Sequence, residues 1–176
     1  SSAASDVYKR QALIKAVDGL AVQLVNTQLS PAMAMAHWLG TQEAPSGFSV
    51  DRECELKAAD ESKAVVRYTR HALDTDEVAQ HIALGKMPTR LAMTWNDRVS
   101  FVLTEALQLK KIGFLDTVFE EAGKAAGDGK DDNFDADVAI ATGELVQLIP
   151  DLLEALGGEV ALGENPAPNP VNTKPA

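Results

Sequence analysis

The sequence has one cysteine, Cys54, and no run of apolar residues near the ~18 that a membrane-spanning helix needs. A single cysteine cannot form an internal disulfide, and it excludes a metal site built from several thiolates. Chains without disulfides are typical of the reducing cytosol, so we expect a cytoplasmic protein that does not enter a membrane. Cys54 itself is predicted to be a small buried side chain on a strand.

Residues that could carry catalysis or bind a metal are also few. The histidines His37, His71 and His81 lie on different predicted elements, and none has a carboxylate or cysteine at the spacing of a metal site. The acidic segment 128–137 lacks the glycine at position six and the glutamate at position twelve of a calcium-binding loop. Neither a glycine-rich phosphate loop nor a nucleophile-elbow serine is present. We therefore predict a protein that is not an enzyme and needs no cofactor.

Positive charge is scarce overall but concentrated in the middle of the chain. The formal net charge is −10, which argues at first against nucleic acid as a partner. Residues 62–111, however, carry eight basic and five acidic side chains, whereas residues 112–176 carry three basic and thirteen acidic ones. A basic middle beside an acidic end can bind a polyanion locally, although a solvated sheet face of mixed charge would have the same composition.

The most informative stretch is a β-hairpin predicted at residues 87–105, where two runs of strand-forming residues flank a polar turn. A two-residue turn at Asn96-Asp97 would pair Trp95 with Arg98 and bury polar groups. A three-residue loop that includes Arg98 instead places the apolar side chains on one face, and a shift of one residue would reverse every side chain. The predicted pairs are therefore Trp95–Val99, Met93–Phe101 and Leu91–Leu103.

Three further strands are predicted beside this hairpin. Residues 48–56 alternate apolar and polar side chains as a half-buried strand does, and residues 63–71 form its neighbour after a short polar linker. Residues 109–115 add a third strand to the meander that begins with the hairpin. One face of such a sheet is apolar and needs a covering layer.

Helices are predicted to supply that layer. Asp74 and Glu77 have the spacing of a capping box at a helix start, and residues 116–122 form a short helix. Residues 134–156 form a long apolar helix, which Pro150 should kink or divide. The predicted fold class is α+β, an antiparallel meander sheet packed against helices, with a long C-terminal helix.

Both ends of the chain are predicted to lie outside the folded part. Residues 6–11, Asp-Val-Tyr-Lys-Arg-Gln, are the translation of GATGTGTATAAGAGACAG, the end sequence used in transposon-based sequencing libraries. We therefore expect residues 1–11 to be a translated adapter. Proline, asparagine and glycine dominate residues 160–176, which we expect to be a disordered tail. Residues 12–159 then form the folded portion.

Several segments of this portion are long enough to identify a family. They include LAMTWNDRVSFVL at 91–103, LKKIGF at 109–114 and TGEL at 142–145, preceded by ELK at 55–57 and HIALGK at 81–86. In this order and spacing they resemble the bacterial recombination-associated RdgC family. The resemblance covers nearly all of residues 12–159 and identifies them as the C-terminal half of an RdgC-like protein.

The resemblance implies a non-enzymatic protein that binds double-stranded DNA with little sequence preference. Family members form a ring-shaped homodimer that encircles DNA, associate with the nucleoid and restrain recombinase-driven strand exchange. We therefore expect DNA and a second copy of the chain as partners, with the recombinase as a functional antagonist. The alternative is that this half mainly supports dimerisation, while the upstream half makes most of the DNA contacts.

Contacts to DNA phosphates require lysine or arginine rather than base-reading geometry. We expect the basic residues at the strand ends and turns of residues 62–111 to form the DNA-facing surface. These residues are Arg70, His71, Lys86, Arg98, Lys110 and Lys111. Lys63 and Arg67 rank lower, because cross-strand pairing with Glu53 and Glu55 would occupy them.

Overall fold

The computed structural model describes residues 25–126 and 133–160. The strands are β1 (Asn26–Thr27), β2 (Phe48–Ala58), β3 (Val65–Thr69), β4 (Lys86–Trp95), β5 (Val99–Thr104), β6 (Leu109–Phe114) and β7 (Glu159–Val160). The helices are α1 (Pro31–Thr41), α2 (Asp76–Ala83), α3 (Asp116–Ala126) and α4 (Asn133–Ala155). Strands β3-β2-β4-β5-β6 form an antiparallel sheet in that order, and β1 pairs with β7.

The β4–β5 hairpin has the predicted register. Trp95 pairs with Val99, Met93 with Phe101 and Leu91 with Leu103. The loop has three residues and is closed by the Arg98 amide, which donates to the Trp95 carbonyl at 2.8 Å. Asn96 and Asp97 have φ values of 47° and 53°, a left-handed conformation that these two residue types adopt more easily than most. The six paired side chains are all buried, so the prediction is confirmed.

Helices α1, α2 and α4 cover the apolar face of the sheet. Helix α1 begins where Ser30 caps the Met33 amide and Pro31 occupies the first turn, a position where proline costs no hydrogen bond. The helices contribute side chains to one continuous core with the sheet. The fully or nearly fully buried ones include Met35, Leu39, Val78, Leu148 and Leu152. Cys54 of β2 lies in the same core, as predicted, and the α+β fold class is confirmed.

One helix prediction was wrong, and another is narrowed by the structure. Helix α2 begins at Asp76 with Thr75 as its N-cap, so Asp74 and Glu77 do not form the predicted capping box. Glu77 instead accepts a hydrogen bond from the Tyr68 hydroxyl of β3 at 2.9 Å. Helix α4 continues through Pro150, so this proline does not divide it, and the alternative of a kink stays a prediction. Pro150 is exposed, so water can bind the helix carbonyl that a proline leaves without a donor.

The first and last strands of the described residues, β1 and β7, pair in the small sheet. Val160, the first residue of the predicted tail, pairs with Asn26 and is buried. The remaining predicted tail, 161–176, and the predicted adapter, 1–11, lie outside the described residues. None of the helices in the described ranges is long and apolar enough to cross a membrane.

Candidate nucleic-acid interface

The sheet face opposite the core carries most of the charged strand residues. Because Cys54 and Leu56 point into the core, their neighbours Glu53 and Glu55 point the other way, and side chains that pair with them share that side. We call this surface the open face, since helices α1, α2 and α4 pack on the other side of the sheet. Its charged side chains include those of Asp51, Glu53, Glu55, Arg67, Arg90, Lys110 and Lys111.

The open face is concave. Lys111 of β6 donates to Glu53 of β2 with 2.8 Å between Nζ and Oε1, although β4 and β5 lie between these strands. Three strand spacings amount to ~14 Å, which these two long side chains span by leaning toward each other over β4 and β5. Bulges in β2 and β6 bend the two strands locally. The resulting pocket of about 620 Å³ is lined by side chains that include Arg52, Arg70, Lys111, Ala92 and Val102.

Three of the predicted DNA contacts belong to this surface. Lys110 pairs with Val102, while Arg70 and Lys111 line the pocket. All three basic side chains are exposed. Within the described part of the chain, neither Arg70 nor Lys110 has a carboxylate in ion-pair contact. These two cations are therefore free to meet a phosphate, although the contact itself stays a prediction.

Arg98 is in a different position. Its Nε and Nη2 atoms donate to the Glu144 carboxylate at 2.9 and 2.7 Å, and its Nη1 donates to Glu121 at 2.7 Å. These hydrogen bonds, first those to Glu144 and then that to Glu121, raise the pKa of the Arg98 guanidinium further above its usual value. Since two carboxylates on α4 and α3 hold this side chain, we do not include Arg98 in the candidate interface.

His71 and Lys86 also lie apart from Arg70. The His71 ring lies 5.4 Å from that of Tyr68, a core-face residue, and its Nδ1 donates to the Ala72 carbonyl at 2.6 Å. Lys86 Nζ lies 2.9 Å from Nδ1 of His81 on α2. Arg70 has a left-handed φ of 56°, and the next residue, His71, still donates its amide to the Arg52 carbonyl of β2 at 3.2 Å while its ring lies beside Tyr68. Arg70 and His71, although adjacent in sequence, therefore do not form one cationic surface.

The predicted set omits Arg90, and Arg52 occupies a position that the sequence does not predict. Arg90 of β4 is exposed between Glu55 and Thr104. The alternation of β4 predicts that Arg90 lies on this face, but the predicted set contains only basic residues at strand ends and turns, and Arg90 is in the middle of its strand. Arg52 lies in the β2 bulge, between the pairs that Val50 and Cys54 form with β4. It lines both the open-face pocket and a pocket beside Trp38 and Leu73 on the core side, so it does not belong to the open face alone.

The predicted cross-strand ion pairs are formed in part. Arg67 Nε donates to Glu55 at 2.6 Å, as predicted. Glu55 also accepts from the Thr89 hydroxyl at 2.7 Å, and these two hydrogen bonds, with that from Thr89 first, lower the pKa of the Glu55 carboxyl. Glu53 pairs with Lys111 rather than with Lys63. In the described ranges, no three histidine, cysteine, aspartate or glutamate residues are grouped closely enough to hold a metal.

Comparisons with known proteins agree on one family. The family model described as "Putative exonuclease, RdgC" matches residues 1–159. A protein of Dechloromonas aromatica named "Recombination-associated protein RdgC" is 53% identical over 147 residues, which cover 82% of this chain and 48% of the relative. A protein of the same name from Cupriavidus pinatubonensis is 51% identical over 150 residues, covering 85% of this chain and 50% of the relative. The chain thus spans about half the length of the curated relatives it matches.

Proposed function

The chain belongs to the RdgC family, and from this premise we propose that it acts in DNA recombination by binding double-stranded DNA through the open face, without sequence preference. The protein works as a ring-shaped homodimer on the nucleoid of the cytoplasm and restrains strand exchange by the recombinase. The name shared by the relatives supports the role in recombination. The resemblance supports the ring and the homodimer.

The observation that carries the proposal is the clustering of cations on one concave surface. The cations are Arg70, Arg90, Lys110 and Lys111. Duplex DNA carries one negative charge per ~1.7 Å of its axis, so several cations on one surface can meet phosphates without reading bases. A concave surface also brings more of these side chains near a cylindrical duplex than a flat one.

The distribution of acidic residues supports the same face. The net charge of −10 arises mainly after residue 111, in a region dominated by α3 and α4. Helix α4 packs on the core face through Leu148 and Leu152, so its exposed carboxylates lie on the opposite side of the sheet from the proposed DNA surface. The chain is acidic overall, yet the repulsion between DNA and its acidic end is reduced by this separation.

The test is titration of a random-sequence duplex at several salt concentrations, with a variant in which Arg70, Lys110 and Lys111 are all alanine. Affinity should fall for every duplex sequence alike. The slope of log affinity against log salt concentration should decrease in magnitude by up to ~1 for each cation removed. Lys86→Ala is the matched control for Lys110→Ala, because it removes the same charge from another surface. Unchanged affinity and slope in the triple variant would show that the open face does not bind DNA.

Two further readouts separate the alternatives. If this half mainly supports dimerisation, sedimentation will show a mass that depends on protein concentration, with little DNA affinity in any variant. The family description names an exonuclease, so the duplex should carry end labels, and its strands should be sized after incubation with Mg²⁺. We expect their lengths to stay unchanged. If the DNA strands shorten progressively, and a substitution in this chain abolishes the shortening, the proposed function would be nuclease activity instead of DNA binding.

A further inference from the structure

Carboxylates run through the middle of the cationic open face. Strand β2 carries Asp51, Glu53 and Glu55 on this side, and two of them hold a cation. Glu53 accepts from Lys111 at 2.8 Å, and Glu55 accepts from Arg67 at 2.6 Å. A phosphate that approaches either cation meets a carboxylate already in contact with it.

The two ion pairs differ in how firmly the carboxylate is held. Glu55 is fixed by the buried Thr89 as well as by Arg67, and only 17% of its side chain is exposed. The Glu53 side chain is 41% exposed, that of Lys111 is 65% exposed, and Lys111 is the hydrogen-bond partner of Glu53 among the described side chains. Exposed ion pairs of this kind are weak and are opened readily. The Glu53–Lys111 pair is therefore the one that a phosphate can exchange.

We propose that Glu53 limits the DNA affinity of the open face by holding Lys111, so that DNA binding exchanges the Glu53 carboxylate for a phosphate at this lysine. This inference rests on the proposed DNA-binding function. Lys111 reaches the centre of the concavity only because β6 bulges there, where Lys111 has a φ of 50°. The same bulge that brings Lys111 toward a duplex also brings it to Glu53. Glu53 is thus a residue that sets affinity, whereas Glu55 supports the sheet.

The proposal makes Glu53→Gln a gain-of-affinity change. Neutralising this carboxylate releases Lys111 and removes a negative charge from the DNA surface. We expect affinity for a random-sequence duplex to rise about threefold to tenfold. The magnitude of the salt slope should rise by up to ~1, because Lys111 then displaces a counterion fully.

The matched control is Asp51→Asn, which removes the same charge from the same strand and face. Asp51 accepts a hydrogen bond from Thr94 at 2.9 Å and forms no ion pair within the described residues. A general loss of repulsion would raise affinity in both variants alike. The proposal requires the gain in duplex affinity to be larger in Glu53→Gln than in Asp51→Asn. For Asp51→Asn we expect a gain of about twofold or less.

The experiment is a double-mutant cycle on duplex affinity with Glu53→Gln, Lys111→Ala and their combination. We expect the excess gain from Glu53→Gln to disappear when Lys111 is alanine. Equal gains from Glu53→Gln with and without Lys111 would overturn the inference, while losses in Arg70→Ala and Lys110→Ala would still support the proposed function. If none of these substitutions changes affinity, the proposed DNA face is wrong and the inference is overturned with it. Thermal melting of each variant verifies that these exposed substitutions leave the fold intact.

Discussion

Replacing Arg98 with alanine tests the role that the structure gives this residue. Arg98 ties the β4–β5 loop to Glu144 on α4 and to Glu121 on α3. The substitution removes both ion pairs, and it leaves the Glu144 carboxylate in a site where only 10% of its side chain is exposed. A carboxylate that loses its partner in such a site keeps the cost of desolvation without the compensating attraction.

The magnitude follows from the exposure of each partner. Removing one member of a buried ion pair costs ~3–5 kcal/mol. Glu121 is 63% exposed at its side chain, so the pair with Glu121 contributes only ~0–1 kcal/mol. The Arg98 side chain is itself 28% exposed, so water can reach part of the space it leaves and solvate Glu144 in part. We therefore expect Arg98→Ala to lower the free energy of unfolding by ~3 kcal/mol, the lower end of the range for a buried pair.

Urea denaturation followed by tryptophan fluorescence or circular dichroism measures this loss. Arg67→Ala is the control, because its ion pair with Glu55 involves a largely exposed arginine and should contribute less than ~1 kcal/mol. The double variant Arg98→Met/Glu144→Leu should recover most of the stability, since it leaves no carboxylate unpaired. A loss below ~1 kcal/mol for Arg98→Ala, or a double variant no more stable than the single one, would refute the reasoning.

Two further predictions concern the core and its edge. Trp95→Ala should cost ~3–5 kcal/mol in the same denaturation assay, because the Trp95 ring is buried and its Nε1 donates to Asp151 at 2.9 Å; a cost under ~1 kcal/mol would mean that the site collapses without loss. Burial, and then the hydrogen bond to Glu77, raise the pKa of Tyr68 from 10.0 to about 12. Because the pKa is raised in the folded state, Tyr68 contributes stability that is fully present below pH 10 and is lost as the pH rises through 12. Melting temperatures measured at alkaline pH should therefore fall less in Tyr68→Phe than in the unsubstituted protein.

The parts of the fold that local pattern determines were predicted correctly. The hairpin register follows from six side chains on adjacent strands, because only a three-residue loop aligns Trp95, Met93 and Leu91 with apolar partners. The start of α2 depends on a contact from outside the helix. Glu77 has the spacing of a capping residue, but the Tyr68 hydroxyl of a neighbouring strand binds it instead. Sequence spacing does not reveal such tertiary competition.

The candidate site was predicted less completely, for a related reason. Counting basic residues located the basic region. Whether a carboxylate binds each of these cations, however, depends on residues far along the chain. Arg98 is bound by Glu144, 46 residues later, and Lys111 by Glu53, 58 residues earlier. Backbone geometry adds the rest, because left-handed φ values at Arg70 and Lys111 redirect side chains that strand alternation alone would place elsewhere.

The separation of charge across the sheet leads to a last prediction, on which carboxylates DNA can sense. Helix α4 packs on the core face, so we expect its exposed acids, such as Glu154, to lie farther from DNA on the open face than the Debye length of ~8 Å at physiological salt. Glu154→Gln should therefore leave duplex affinity unchanged at 150 mM salt and raise it only near 10 mM, where the Debye length is ~30 Å. Glu53→Gln should raise affinity at both concentrations, because Glu53 lies on the face itself. An equal response to the two substitutions at 150 mM salt would mean that total charge, rather than its placement, controls binding.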